Sequence, residues 1–223
     1  MTAPHSLALP GAVEAELESA RDRVDGRPAR NEAGDLAGRA MEAFAGARYR
    51  EAAKLCREVL GLAPGAPSIV ELLGLSEYEL GKWQEAAKIL TAHVDRTGDP
   101  AQIPVIMDAE RALGHFRAVE RLYEQLRRAS PEADVLAEGR MVAAGALADS
   151  GRLDDAIALL EATGARRPVR RPKDRHLRQW YVLADLYERA GEVGLARELF
   201  KRVRDADPEV GDVRQRLKSI GGG

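Results

Sequence analysis

The chain has 223 residues, enough for one large or two small domains with a substantial core. Hydrophobic residues make up 45%, charged residues 31% and aromatics 4%, with a formal net charge of -2, a balance that excludes a disordered chain, a generally basic nucleic-acid binder and an acidic tail. A single cysteine, Cys56, excludes an internal disulfide and a cysteine-rich metal framework, and with no signal-like start and no apolar run of membrane-spanning length the expected compartment is the cytoplasm.

In chain order, residues 1–30 read as a flexible leader in which Val13, Leu17, Ala20 and Val24 would line one amphipathic helix over 12–24. Paired helices are then predicted over 33–45 and 48–61, 67–80 and 82–96, 101–113 and 115–129, 133–150 and 152–162, and 174–190 and 192–206. A terminal helix over 208–219 and an unstructured run of three glycines close the chain. No segment shows the alternating β-branched pattern of a strand.

These pairs follow from one repeated phrase: a glycine, two residues to a large apolar residue, three more to a small one. It occurs at Gly81-Lys82-Trp83…Ala86, Gly114-His115-Phe116…Val119, Gly151-Arg152-Leu153…Ala156 and Gly191-Glu192-Val193…Ala196. A fifth copy from Gly46 to Ala52 has one residue extra, and the successive glycines lie 35, 33, 37 and 40 residues apart. The phrase is a helical hairpin: glycine ends one helix in a left-handed conformation, the apolar residue opens the next, and the small residue lets the axes approach. Asp99-Pro100, Ser130-Pro131 and Asp207-Pro208 each read as a capping side chain before a first-turn proline.

Trp180, Leu183, Ala184, Tyr187, Gly191, Ala196, Phe200, Val203 and Pro208 in the last copy resemble the signature of the tetratricopeptide repeat family. So do Leu73-Gly74, Tyr78, Gly81 and Ala86 in the second copy, and Ala40, Phe44, Ala52, Leu60 and Pro64 in the first. The third is weaker, with Pro104 inside its first helix and Met107 and Val119 where small residues are usual; the fourth keeps Ala144, Leu147, Gly151, Ala156 and Leu160. The resemblance implies an all-α, right-handed α-solenoid of about five helix pairs with a C-terminal capping helix. Its domain would span 31–223, with repeats near 33–66, 67–99, 100–132, 133–165 and 174–208 and a cap over 208–219. The Ala-, Arg- and Gly-heavy composition suits a GC-rich bacterial genome.

No chemistry-bearing motif emerges. Gly81-Lys82 is not a phosphate loop, because Trp83 stands where Ser or Thr must hold magnesium. His5, His93, His115 and His176 lie in separate segments without zinc-ligand spacing, and His93 reads as a partly buried neutral side chain. Cys56 falls on a core-packing position, and Asp154-Asp155 complements a helix start. The expectation is a protein without enzymatic activity, cofactor or metal.

Two surfaces remain as candidates. The resemblance implies a concave groove lined by Glu71, Leu75, Tyr78, Asp108, Arg111, Met141, Tyr181, Asp185 and Glu188, where a partner protein or peptide would bind. Some family members hold a peptide's terminal carboxylate with a combination of lysines, arginines and asparagines along this groove; that combination is lacking here, the sole asparagine, Asn31, preceding the repeats. The second is the stretch from Arg166 to Arg178, seven basic residues against one acidic, which leaves -8 for the rest of the chain. Its Pro168 and Pro172 predict an extended loop, and Arg166, Arg167, Arg170, Arg171 and Lys173 are candidate anion contacts. The leading expectation is a protein-binding adaptor or scaffold. An accessory factor for RNA or a ribonucleoprotein, using this loop, is the alternative, although no aromatic lies within it to stack on bases.

Overall fold

The computed structural model describes residues 27–221, with side chains from residue 32. Residues 1–26 of the leader expected over 1–30, including its helix over 12–24 and His5, and the last two glycines lie outside the described residues. Every described regular element is helical: α1 Arg27–Ala45, α2 Tyr49–Leu62, α3 Pro67–Glu79, α4 Trp83–Thr97, a short 3-10 turn Pro100–Gln102, α5 Ile103–Ala112, α6 Phe116–Ala129, α7 Ala133–Asp149, α8 Leu153–Glu161, α9 Asp174–Arg189, α10 Val193–Ala206 and α11 Val213–Ser219. The chain divides into two compact units, the first ending at His115 and the second beginning at Phe116. The third expected helix pair is therefore shared out, α5 belonging to one unit and α6 to the other.

The hairpins are built as the repeated phrase dictates. Gly81, Gly114, Gly151 and Gly191 have φ of 71, 76, 85 and 81°. The residue after each donates its N–H to a carbonyl five residues back, at 2.8–3.0 Å from Lys82 to Glu77, His115 to Glu110, Arg152 to Leu147 and Glu192 to Tyr187, which satisfies the helix end. The extra residue of the first copy shifts the left-handed position from Gly46 to Ala47, at φ 56°. Ala52, Ala86, Ala156 and Ala196, the small residues of the phrase, are completely buried.

Three expectations about helix starts are corrected. Pro104 does not interrupt a helix: Asp99 accepts from the Ala101 N–H at 2.9 Å and starts only the short turn, so Pro104 falls in the first turn of α5. Ser130 does not cap; at φ 50° it is a left-handed turn residue, and α7 begins at Ala133. The terminal helix begins at Val213 rather than 208, because Gly211 turns left-handed at φ 55°. At the other end α1 extends back to Arg27, past the expected boundary of the leader.

In the first unit the core joins Ala37, Ala40 and Ala43 of α1 to Ala52, Ala53, Cys56 and Val59 of α2 and Ile69, Leu72 and Leu73 of α3. Cys56 is fully buried, and burial pushes its thiol up to about 12, which makes it an inert packing residue. His93 is buried too, at 5% exposure. In the second unit Met141 and Ala144, Ala156 and Leu160, Trp180 to Tyr187, Ala196 to Val203, and Val213 and Leu217 form one cluster across α7 to α11.

Candidate functional site

In the first unit the opening helices of successive pairs share a polar face. The Tyr78 hydroxyl on α3 donates to Asp108 Oδ2 on α5 at 2.6 Å, and Arg111 lies 3.6 Å from the same carboxylate. Gln102 Nε2 donates to Glu71 Oε1 at 2.6 Å, one turn-and-helix away. The Tyr78 ring meets Trp83 edge-to-face with centroids 5.1 Å apart, which fixes the ring while leaving it half-buried. Glu71, Tyr78, Asp108 and Arg111 are thus brought onto one surface. Leu75 is not: it is fully buried, because α3 is enclosed on nearly all sides over Leu72–Glu77.

In the second unit Met141 is likewise withdrawn into the core, at 6% exposure, where α7 is buried along Gly139–Ala146. Tyr181, Asp185 and Glu188 do share a face, and the C-terminal segment lies on it. Arg216 of α11 donates to Asp185 at 2.6 Å and to Glu188 at 2.8 and 3.0 Å, and its guanidinium sits 5.2 Å from the Phe200 ring. The Tyr181 ring packs on Gly211, where a Cβ would meet it at 3.1 Å, and its hydroxyl donates to Asp212. Burial first, then Asp212, raises the Tyr181 hydroxyl from 10.0 to about 12.

That shift has a testable sign. A folded-state value above the unfolded one contributes stability that is complete below about pH 10 and lost as pH rises toward 12. Tyr187, donating to Glu161, is shifted the same way, mainly by burial. Thermal melts taken from about pH 8 to about pH 11 should fall less steeply for Tyr181→Phe than for the parent. Parallel curves would show that Tyr181 ionises freely in the folded chain.

Further ion pairs tie α7 to α9: Arg175 to Asp134 at 2.7 Å, Arg178 to Glu138, and Arg189 to Asp149 at 3.7 Å. Sequence reasoning named neither these carboxylates nor Gln102, Asp212 and Arg216. A signal was present: Tyr78–Asp108, Glu71–Gln102, Tyr181–Asp212 and Asp185–Arg216 are separated by 30 or 31 residues, close to one repeat.

The basic loop runs from the end of α8 to α9, as predicted. Arg166 lies 3.5 Å from Glu161, and its carbonyl accepts from Arg202 Nη1 at 2.6 Å. The N–H of Lys173 donates to His176 Nδ1 at 2.8 Å. Burial, Arg175 and Lys173 lower the His176 ring's proton affinity, in keeping with that accepting role. Among the described residues no group of three or more His, Cys, Asp or Glu could hold a metal ion, and no helix is long and apolar enough to cross a membrane.

The family model for the tetratricopeptide repeat matches residues 38–101 and 143–210, together more than half of the chain. Among solved structures, a thermophilic TPR protein of Thermus thermophilus is similar with a TM-score of 0.65 and 19% identity, over 84% of this chain and 98% of that one. Nearly identical TPR-like repeats assigned to a kinesin light chain of Podosopora anserina are similar with a TM-score of 0.61 and 21% identity, over 84% of this chain and 100% of that one. These likenesses concern the fold. No curated protein matches the sequence.

Proposed function

We propose that this chain, which belongs to the tetratricopeptide repeat family, is a non-enzymatic cytoplasmic adaptor that holds a segment of a partner protein on the polar face of its first unit. The observation that carries the reading is the bonded set Tyr78, Asp108 and Arg111, half-buried side chains from successive repeats held in place before any partner arrives. Preorganisation lowers the ordering cost of binding, and a fixed aromatic beside charged groups is the usual anchor of an interface. On the equivalent face of the second unit, Tyr181 and Asp185 are bonded to Asp212 and Arg216 of the C-terminal segment.

The test is affinity capture with crosslinking by the full chain, comparing the parent with a Tyr78→Ala, Arg111→Ala double variant. Removing an aromatic anchor costs about 2 kcal/mol or more, so capture should fall by roughly thirtyfold with the circular dichroism spectrum unchanged. Undiminished capture by the folded variant would move the binding site off this face.

A further inference from the structure

The geometry points to the loop Arg166–Lys173 as a second docking surface, one that takes an acidic linear segment of a partner protein carrying an apolar side chain. Five cations and no carboxylate occupy these eight positions. Arg166 has Glu161 opposite it, whereas Arg167, Arg170, Arg171 and Lys173 face no carboxylate among the described residues, although Arg152, Arg175, Arg178 and Arg216 of the same unit are all paired. Val169 stands exposed in their midst, at 36%, one of two large apolar side chains so placed among the described residues.

The loop is a held strap rather than a loose insertion. Ala165 is buried at its start and Leu177 beyond its end, Arg202 bonds the Arg166 carbonyl, and His176 receives the Lys173 N–H. Between these anchors Pro168 and Pro172 remove two donors, and the N–H groups of Val169, Arg170 and Arg171 enter no backbone hydrogen bond among the described residues. A backbone with open donors, cationic side chains and one apolar contact matches an acidic linear peptide. Six residues of such a strap span at most roughly 20 Å, room for a short segment.

A polyanion fits less well. No aromatic in the strap can stack on a base, and Glu161, Asp134, Glu138 and Glu198 stand at its two ends through their bonds to Arg166, Arg175, Arg178 and Arg202. Phosphates running beyond the strap would meet those carboxylates. Val169 offers nothing to a phosphate chain and something to a leucine.

The experiment uses the full chain and fluorescence anisotropy at about 0.15 M salt, where the Debye length is about 8 Å. Three labelled probes are compared: a glutamate-rich peptide of about twelve residues containing one leucine, an all-glutamate peptide of equal charge, and a single-stranded oligouridylate of about twelve nucleotides. The expected order is leucine-containing peptide, then all-glutamate peptide, then RNA. Changing Arg167, Arg170, Arg171 and Lys173 to Ser should weaken the leucine-containing probe by about tenfold or more, with unchanged melting because all four side chains are exposed. Val169→Ser should weaken that probe by about threefold and leave the all-glutamate peptide unaffected. RNA bound more tightly than either peptide, or parent-like peptide binding by the four-fold variant, would overturn the inference. So would a Val169→Ser variant that treats both peptides alike. These substitutions lie on the loop and those of the capture experiment on α3 and α5, so either proposal can fail without the other.

Discussion

Ala196→Trp should lower the melting temperature by about 10–20 °C, the equivalent of about 3 kcal/mol in a unit of this size. Ala196 is fully buried where α10 crosses α9, in one cluster with Trp180, Leu183 and Ala184, the last two fully buried as well. An indole there has no space to enter. It must push the helices apart and with them the contacts of Phe200 and Val203, both fully buried. Thermal unfolding followed by circular dichroism reads the effect. A variant melting like the parent would mean that the register of the last repeat is wrong.

Arg57→Met combined with Lys82→Met should cost about 3–5 kcal/mol, because it leaves the Glu77 carboxylate without its cations. Glu77 is fully buried on α3, with Arg57 of α2 against one oxygen and Lys82 2.7 Å from the other. The cations are about half exposed, so their own loss of company costs little; the carboxylate bears the penalty. Adding Glu77→Met should then recover most of the loss, since an apolar side chain of similar volume has no charge to solvate. Denaturant titration of parent, double and triple variants measures both steps. A triple variant no more stable than the double one would show that the cations act through something other than Glu77.

Glu77 also illustrates what the sequence conceals. It stands four residues before the turn glycine, where the last repeat has Tyr187, and both are buried. Periodicity marks the position as inward-facing, but a carboxylate there becomes tolerable only through Arg57, twenty residues away, and Lys82 across the turn.

The helices themselves were legible from the chain. Glycines that must turn left-handed, an apolar residue two positions on and an alanine three further are local requirements, and they locate the hairpins to within a residue or two over α2–α4 and α6–α10. The prediction went astray where a distant group intervened. The helix expected from 208 begins at Val213, where Gly211 leaves room for the Tyr181 ring. The candidate site was legible in part: the family resemblance named Tyr78, Asp108 and Arg111 together, and in the structure they are bonded to one another. The resemblance misplaces Leu75 and Met141, because a repeat position gives the direction of a side chain relative to its own helix and not how many neighbours close around that helix. Likewise the charge of the 166–173 loop is a property of the sequence. Which cations are already spoken for, Arg166 by Glu161, Arg175 by Asp134 and Arg178 by Glu138, was decided only by the packing of α7, α8 and α9, since an ion pair depends on distances that repeat period alone does not fix.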